Sequence, residues 1–431
     1  MNLVFENKDK LLNFIQPEEQ GNRICISPWV NRIKCIIHNQ NKVHNKGTNF
    51  IKYNNVEYKV NQYNIDEIPQ TGSYIIPVGL HESPDSWAGY EGKFPSIFTL
   101  LNETYLKHLR EGRAYFLLDN SLEGYHTEKI FDFLHDEAVR LNIPVKNIIF
   151  ICGNVQLEKR AEEWSNLTGK KCVKAFGYSH FEFDMFFNAE NRAKAGNPLP
   201  SIDYQIEYKK QNLEKVKPFN FLNRKPRKHR AIFYTQLFHA KLLEYGLISM
   251  NPWEGETSHE EVNIDEFFED SSRLEHAHSV LPISWDNSDN LENSDEKVNR
   301  FNDVAILNSW LTIVSETHFN DKQGTVFLSE KTFKAIASYH PFIILGSKES
   351  LKELRKLGYY TFDDYIDETY DELGNMDRMY AIIKEIFNII NSDNNLDAFE
   401  RLRAKLIWNR KMLEINAYYT PPAGFYYMIS L

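Results

Sequence analysis

Short, nearly continuous apolar runs alternate along this chain with segments whose apolar residues recur at helical spacing. That alternation predicts a layered α/β fold, with buried strands joined by amphipathic helices. AYFLLDN (Ala114–Asn120) is predicted as a buried strand ending on turn residues. A helix follows from about Glu128 to Leu141, its apolar positions being Ile130, Phe131, Phe133, Leu134 and Val139. NIIFICGN (Asn147–Asn154) is the next strand, and the three elements make one β-α-β unit. SYIIPVG (Ser73–Gly79) predicts an earlier strand and VKAFGYS (Val173–Ser179) a later one.

Between Ala193 and Pro218 the periodicity is lost, prolines gather and the charge turns basic, which predicts a linker. The pattern then restarts. FNFL (Phe219–Leu222) and LISM (Leu247–Met250) read as strands flanking a helix from about His229 to Tyr245, closed by Gly246. Trp253–Lys297 is polar and acidic and reads as a long loop. A helix around Arg300–Trp310 leads into the strand LTIVSE (Leu311–Glu316). SEKTFKAIASY (Ser329–Tyr339) then predicts a helix, PFIILG (Pro341–Gly346) a strand, and Ser347–Gly358 a helix capped by serine and closed by glycine. Two amphipathic helices, about Met376–Asn391 and Leu396–Asn416, precede the aromatic tail AYYTPPAGFYYM.

Length and composition narrow the reading. A chain of 431 residues holds two domains of ordinary size. A net charge of −10 supplies no global attraction for nucleic acid or an anionic membrane, so phosphate contacts require a local basic cluster. The four cysteines, Cys25, Cys35, Cys152 and Cys172, form no C-x-x-C pair, which fits a reducing compartment rather than a disulfide or zinc scaffold. The N-terminus lacks a basic segment followed by an apolar run, and no stretch reaches the length of a membrane span. The expectation is a cytoplasmic protein. Aromatics at 14% serve cores first, and sugar or base pockets second.

In open parallel sheets ligands sit at the carboxyl ends of strands, beside helix N-termini whose free N–H groups and partial charge suit a pyrophosphate. Ser329 is placed to cap such a helix, Glu330 to accept the hydroxyls of a ribose, and Lys331 and Lys334 to share one face toward phosphates. The same Ser-Glu pair also makes an ordinary helix cap with a dipole-favoured glutamate. The run S-E-K-x-F-x-A-I-A followed by P-F-I-I-L-G resembles the donor-site signature of GT-B glycosyltransferases, and is similar to fucosyltransferase-like and exostosin-like chains. The resemblance implies a nucleotide-sugar site in which Glu330 holds the ribose. Glu316 lies fourteen residues before Glu330, farther than the paired glutamates of retaining families, and is not assigned to the sugar.

FLNRKPRKHR (Phe221–Arg230) sets Asn223, Arg224, Arg227 and Arg230 between a strand and a helix. Guanidinium forks match phosphate oxygens, so this cluster suits a departing diphosphate. Its N-R-x-P-R-x-x-R pattern resembles phage and bacterial glycosyltransferase-like sequences; a solvated basic turn or a nucleic-acid patch would read the same way. The resemblance covers mainly Phe219–Asp367.

In the N-terminal half, Asp119, Glu123 and His126 follow one strand, and His81 and Asp85 another. Glu123, with Asp119, is the candidate base for the acceptor hydroxyl; His81, Asp85 and His126 are candidate acceptor contacts. Each is also an ordinary loop-capping residue type. EHAH (Glu275–His278) sets His276 and His278 on one face if it is a strand, but two histidines alone seldom hold a metal. No phosphate-loop or dinucleotide fingerprint is found in the sequence. No metal and no cofactor are expected, and the nucleotide diphosphate sugar is a substrate.

Together these readings give an α/β chain with two Rossmann-like domains facing a cleft in the GT-B manner. Residues 1–200 bind the acceptor, 215–395 bind the nucleotide sugar, and 396–431 cross back to the N-terminal domain. The expected activity is glycosyl transfer to a saccharide or other hydroxyl acceptor. Two alternatives stand beside it: a phage-type enzyme glycosylating DNA bases, with nucleic acid as acceptor, and a non-catalytic nucleotide-binding or interaction protein.

Overall fold

The computed structural model describes residues 2–5, 24–25, 27–44, 50–53, 56–64, 71–80, 96–124, 128–223, 227–252, 272–285, 301–319 and 324–431. The chain divides into two compact units. Unit 1 comprises Met1–Phe183 with Ile415–Leu431, and unit 2 comprises Asp184–Glu414.

In unit 1 the strands are β1 (Asn2–Phe5), β2 (Ile24–Cys25), β3 (Phe50–Tyr53), β4 (Val56–Lys59), β5 (Asn61–Asn64), β6 (Tyr74–Leu80), β7 (Ala114–Asn120), β8 (Ile148–Cys152) and β9 (Lys174–Gly177). The main sheet runs β5-β1-β6-β7-β8-β9, all parallel, with β2 antiparallel on β6 and β3-β4 as a separate hairpin. Its helices are α1 (Pro28–His44), α2 (Glu103–Arg110), α3 (Glu128–Arg140) and α4 (Leu157–Thr168).

Every residue of β6, β7 and β8 is buried, as expected of central strands covered on both faces. Alternate residues divide between two cores. Phe116, Leu118 and Phe150 pack with Leu134 of α3 and Trp164 of α4. Tyr115, Leu117, Ile149 and Ile151 pack with Trp29 and Ile33 of α1, and with Phe425 and Met428 of the C-terminal tail. The tail is fixed by polar bonds as well: Trp29 Nε1 donates to Ala423 O (2.9 Å) and Arg32 donates to Thr420 O (2.9 Å).

The chain leaves unit 1 through α5 (Phe181–Lys194) and enters α6 (Ile202–Gln211). The stretch expected to be a linker is therefore largely ordered. Ser201 caps α6, accepting from Tyr204 N (3.2 Å), and the buried face of α6 is Ile202, Gln205 and Lys209. Two of those three are polar, which hid the helix period from an apolar-pattern reading. Gln205 Nε2 bonds Ser338 O (2.7 Å), and Lys209 Nζ donates to the carbonyls of Ile306 (2.8 Å), Leu307 and Ser309.

Unit 2 contains β10 (Lys217–Asn223), β11 (Gly246–Met250), β12 (Ser309–Ser315) and β13 (Phe342–Leu345), all parallel in the order β11-β10-β12-β13. Its helices are α7 (Lys228–His239), α8 (Ser272–His278), α9 (Asp303–Leu307), α10 (Glu330–Ala337), α11 (Ser350–Lys356), α12 (Asn375–Ile390) and α13 (Asn395–Arg401). α14 (Arg403–Tyr418) leads back to unit 1, and α15 (Phe425–Ile429) ends the chain. The fold class is thus α/β with two Rossmann-like units, each built on a parallel sheet.

Several elements differ from the sequence reading. EHAH is helical, within α8, so His276 and His278 project in different directions and do not share a strand face. Trp310 lies in β12 rather than closing a helix, and its ring packs on Phe399. The expected last helix is two, broken at Leu402.

Candidate functional site

The strand order of unit 2 locates its ligand edge. From β10 the chain passes to β11 on one side, then to β12 on the other side of β10. The topological switch point therefore lies between β10 and β12, where open α/β sheets bind ligands beyond the strand carboxyl ends. Asn223 ends β10 and Ser315 ends β12. The β10–β12 register pairs Lys217 with Ser309 and Asn220 with Thr312; continued, it sets Asn223 level with Ser315.

Both side chains are 4% exposed, and among the described residues neither Asn223 Nδ2 nor Ser315 Oγ has a hydrogen-bond partner. Ser249 near the end of β11 and Ser347 after β13 are buried with unpartnered hydroxyls too. An unsatisfied buried polar group costs about 1–3 kcal/mol, so a row of them along one sheet edge is an expensive arrangement for a purely structural purpose.

Beside Ser315 stands the N-terminus of α10, and its local chemistry departs from the expectation of open N–H groups. The Glu316 carboxylate is 1% exposed and fills that position from within the protein. Its Oε1 accepts from Ser329 N (3.1 Å) and Thr332 Oγ1 (2.6 Å), and its Oε2 from Ser329 Oγ. Glu316 N donates to Leu345 O (2.9 Å). Its close passage past β13 leaves little room at Gly346, where an added Cβ would lie 2.9 Å from Ile344 Cγ2 and 3.1 Å from Glu316 Cβ. A phosphate is therefore not bound by this helix start alone, since an internal carboxylate already holds it.

Ser329 caps α10 and is fully buried. Glu330 opens the helix, with Lys331 Nζ on its Oε1 at 2.8 Å and on Ser329 Oγ at 3.1 Å. Burial alone would raise the Glu330 carboxyl, but Lys331 and Lys334 outweigh it and hold it at about 2. Lys331 and Lys334 both line a cavity of about 180 Å³ between α10, α9 and the β10–β12 face of the sheet. Ser315 also lines it, with Leu222, Phe301, Ile306 and Val314 as apolar walls.

The arginine cluster separates into distinct placements. Arg224 lies outside the described residues. Arg227 is the half-buried residue preceding α7 and makes no side-chain cap there. Arg230 is 3% exposed, and its Nη2 donates to the carbonyls of Ser315 and Glu316 (2.9 Å each). It braces the end of β12 from below, together with His229 Nε2 on Glu316 O (3.1 Å). The His229 ring stacks on Phe319 at 5.5 Å, and the Arg378 guanidinium covers Phe319 at 4.5 Å. The loop after β12 is thereby fixed through its main chain.

In unit 1 the switch point falls between β1 and β6. His81 and Asp85, which follow β6, and His126 lie outside the described residues. Asp119 is fully buried and engaged. Its Oδ2 accepts from Ser27 Oγ (2.6 Å) and Trp29 N (2.8 Å), and its Oδ1 from Ser121 N (3.1 Å). These bonds anchor the start of α1 to β7, a scaffold task that leaves no exposed carboxylate for proton transfer. Glu123 is half-buried in the loop after β7, held by its main chain: Glu123 N donates to Asn120 O (3.0 Å), and Glu123 O accepts from Gly153 N (2.8 Å).

The sequence reading missed Ser315, Ser249 and Ser347 because a serine at a strand end carries no pattern of its own. It named Glu316 without a role. Its position at the end of a predicted strand, ahead of a Ser-x-x-Thr helix start, was the available signal.

Fold and strand order define a two-unit α/β chain with buried polar side chains at the strand ends beside the switch point of unit 2. No family model matches the chain, and no curated protein matches it. Among solved structures, the N-terminal domain of Candida albicans trehalose-6-phosphate phosphatase aligns over 96% of each chain at 8% identity, with a TM-score of 0.37. A likeness at that level settles neither fold nor function.

Proposed function

We propose that this chain is a glycosyltransferase of GT-B type that binds a nucleotide diphosphate sugar at the carboxyl ends of β10 and β12 and passes the glycosyl unit to a hydroxyl acceptor. The observation that carries the reading is the pair Asn223 and Ser315, buried and unpartnered on either side of the unit 2 switch point. Beside them Glu330 is held ionised, so its carboxylate is a ready acceptor for ribose hydroxyls. Lys331 and Lys334, with Arg224 and Arg227 from the loop after β10, supply the positive charge that a departing diphosphate requires. On unit 1, Glu123 is the proposed base and His81, Asp85 and His126 the proposed acceptor contacts. In the transfer, the bond from the anomeric carbon to the diphosphate breaks, the acceptor oxygen bonds that carbon, and the base takes the acceptor proton.

The test is incubation with a panel of nucleotide sugars and saccharide acceptors, following release of nucleoside diphosphate and mass gain of the acceptor. Transfer that depends on Glu330 supports the reading; no turnover and no binding across the panel removes it.

A second reading, nucleotide binding without transfer, is favoured by the commitment of Asp119 to anchoring α1. Saturable donor binding with no hydrolysis or transfer would select it.

A further inference from the structure

We propose that α12 is a self-association surface, on which the α12 of a second copy of this chain docks antiparallel about a two-fold axis. The proposal is independent of the nucleotide-sugar reading.

α12 (Asn375–Ile390) carries two apolar faces. One is committed to the core of unit 2. Met379, Ile382, Ile386 and Ile389 are buried there, and the helix packs on elements that include β10, β13 and α7. The other is open to solvent. Met376, Tyr380 and Phe387 are 41%, 45% and 56% exposed, and Ile383 and Ile390 beside them are half-buried. These five recur at intervals of four, three, four and three residues, the spacing that keeps a stripe facing a partner helix. The stripe runs for about 21 Å along the helix. Single exposed apolar residues are ordinary, but a continuous row beside a buried face marks a contact surface.

Charge on the flank of the stripe selects the partner and its direction. Asp377 and Lys384 each follow a stripe residue, Met376 and Ile383, so they stand on the same flank one heptad apart. Both are exposed, and neither makes an ion pair among the described residues. In an antiparallel pair of α12 helices, like flanks meet. Setting Met376 against Phe387 of the second copy also sets Tyr380 against its Ile383, and the two-fold axis makes each contact twice. Asp377 then lies about 3 Å along the axis from the level of Lys384 of the second copy, again twice. Sliding the pair by one heptad recruits Ile390 but sets the two Lys384 ammonium groups against each other, so charge also fixes the register. A parallel pair faces this flank with that of Met379 and Ile386, which carries no charge. The surface is thus complementary to itself, as a two-fold contact requires. One helix pair is smaller than the interface of a permanent dimer, so the association is of the weak, reversible kind.

Sedimentation velocity of the full chain over about 1–100 μM tests the proposal. The unaltered chain should pass from monomer to dimer within that range. Phe387→Glu, checked for folding by circular dichroism, should weaken dimerisation about tenfold or more. Asp377→Lys and Lys384→Asp, each alone, should weaken it about threefold or more, because each sets like charges together. An equimolar mixture of those two variants should recover the affinity of the unaltered chain, since each then meets its opposite. A chain that stays monomeric throughout, or a dimer insensitive to Phe387→Glu, would overturn the surface. Single charge variants that dimerise like the unaltered chain, or a mixture no tighter than its components, would overturn the antiparallel pairing.

Discussion

The Glu316 carboxylate at the end of β12 receives both the main-chain N–H and the hydroxyl of Ser329, the residue that caps α10. Through this pair one buried charge couples a strand end to the helix start that carries Glu330 and Lys331. Removing it strands three donors, since Thr332 Oγ1 bonds the same carboxylate (2.6 Å). Glu316→Ala should therefore destabilise the protein by about 3 kcal/mol, the upper range for hydrogen bonds to a charged group. Urea unfolding measures it, and a loss below about 1 kcal/mol would mean that the clamp is not needed to hold α10.

Glu330 is a different case, because it is paired with a neighbour on its own helix and is the proposed ribose contact. Glu330→Ala should leave the folded protein intact and weaken nucleotide-sugar binding by about 1–3 kcal/mol. Calorimetry on the variant decides this, and undiminished affinity would remove the ribose contact.

Asp371 supplies a pH signature. Its carboxylate, 3% exposed, accepts from Leu351 N (3.0 Å) and Lys352 N (3.1 Å) at the start of α11. Burial raises its pKa to about 6, and those bonds only partly offset the effect. The unfolded value is about 3.9, so the folded state holds this proton more tightly. The stabilising contribution is fully present below pH ~3.9 and is lost as pH rises through about 6. Asp371→Asn lacks the titration. The stability difference between wild type and variant should therefore shift by about 3 kcal/mol across that window, wild type weakening as pH rises. A difference independent of pH from 4 to 7 would place the Asp371 pKa near its ordinary value.

The sequence made the buried strands of both sheets legible because strands buried on both faces are written as unbroken apolar runs, as in AYFLLDN and PFIILG. α10 was legible because Phe333, Ile336 and Ala337 mark its buried face. α6 was not, because Gln205 and Lys209 occupy core-facing positions that only tertiary partners satisfy. Residue type and chemistry coincide at Glu330, Lys331 and Lys334, the proposed donor contacts on α10. Residue type was misleading at Asp119 and Arg230, whose charges are directed at main-chain and side-chain partners inside the fold. No local pattern distinguishes an acid that caps a distant helix from one that meets a substrate. The unpartnered Asn223 and Ser315 become visible only once strand order brings their ends together.

That pair gives the most direct test of the central claim. A buried hydroxyl without a partner lowers the stability of the ligand-free protein, and persists where a ligand uses it. Ser315→Ala should raise thermal stability by about 2–4 °C, the equivalent of about 1 kcal/mol in a chain of this kind. The same variant should bind a nucleoside diphosphate sugar about tenfold more weakly, the equivalent of about 1.4 kcal/mol. Opposite changes in melting temperature and affinity, measured on one preparation, are the predicted result. A Ser315→Ala protein that is less stable, or that binds nucleotide sugars as tightly as the unaltered chain, would contradict a donor site at the β10–β12 switch point.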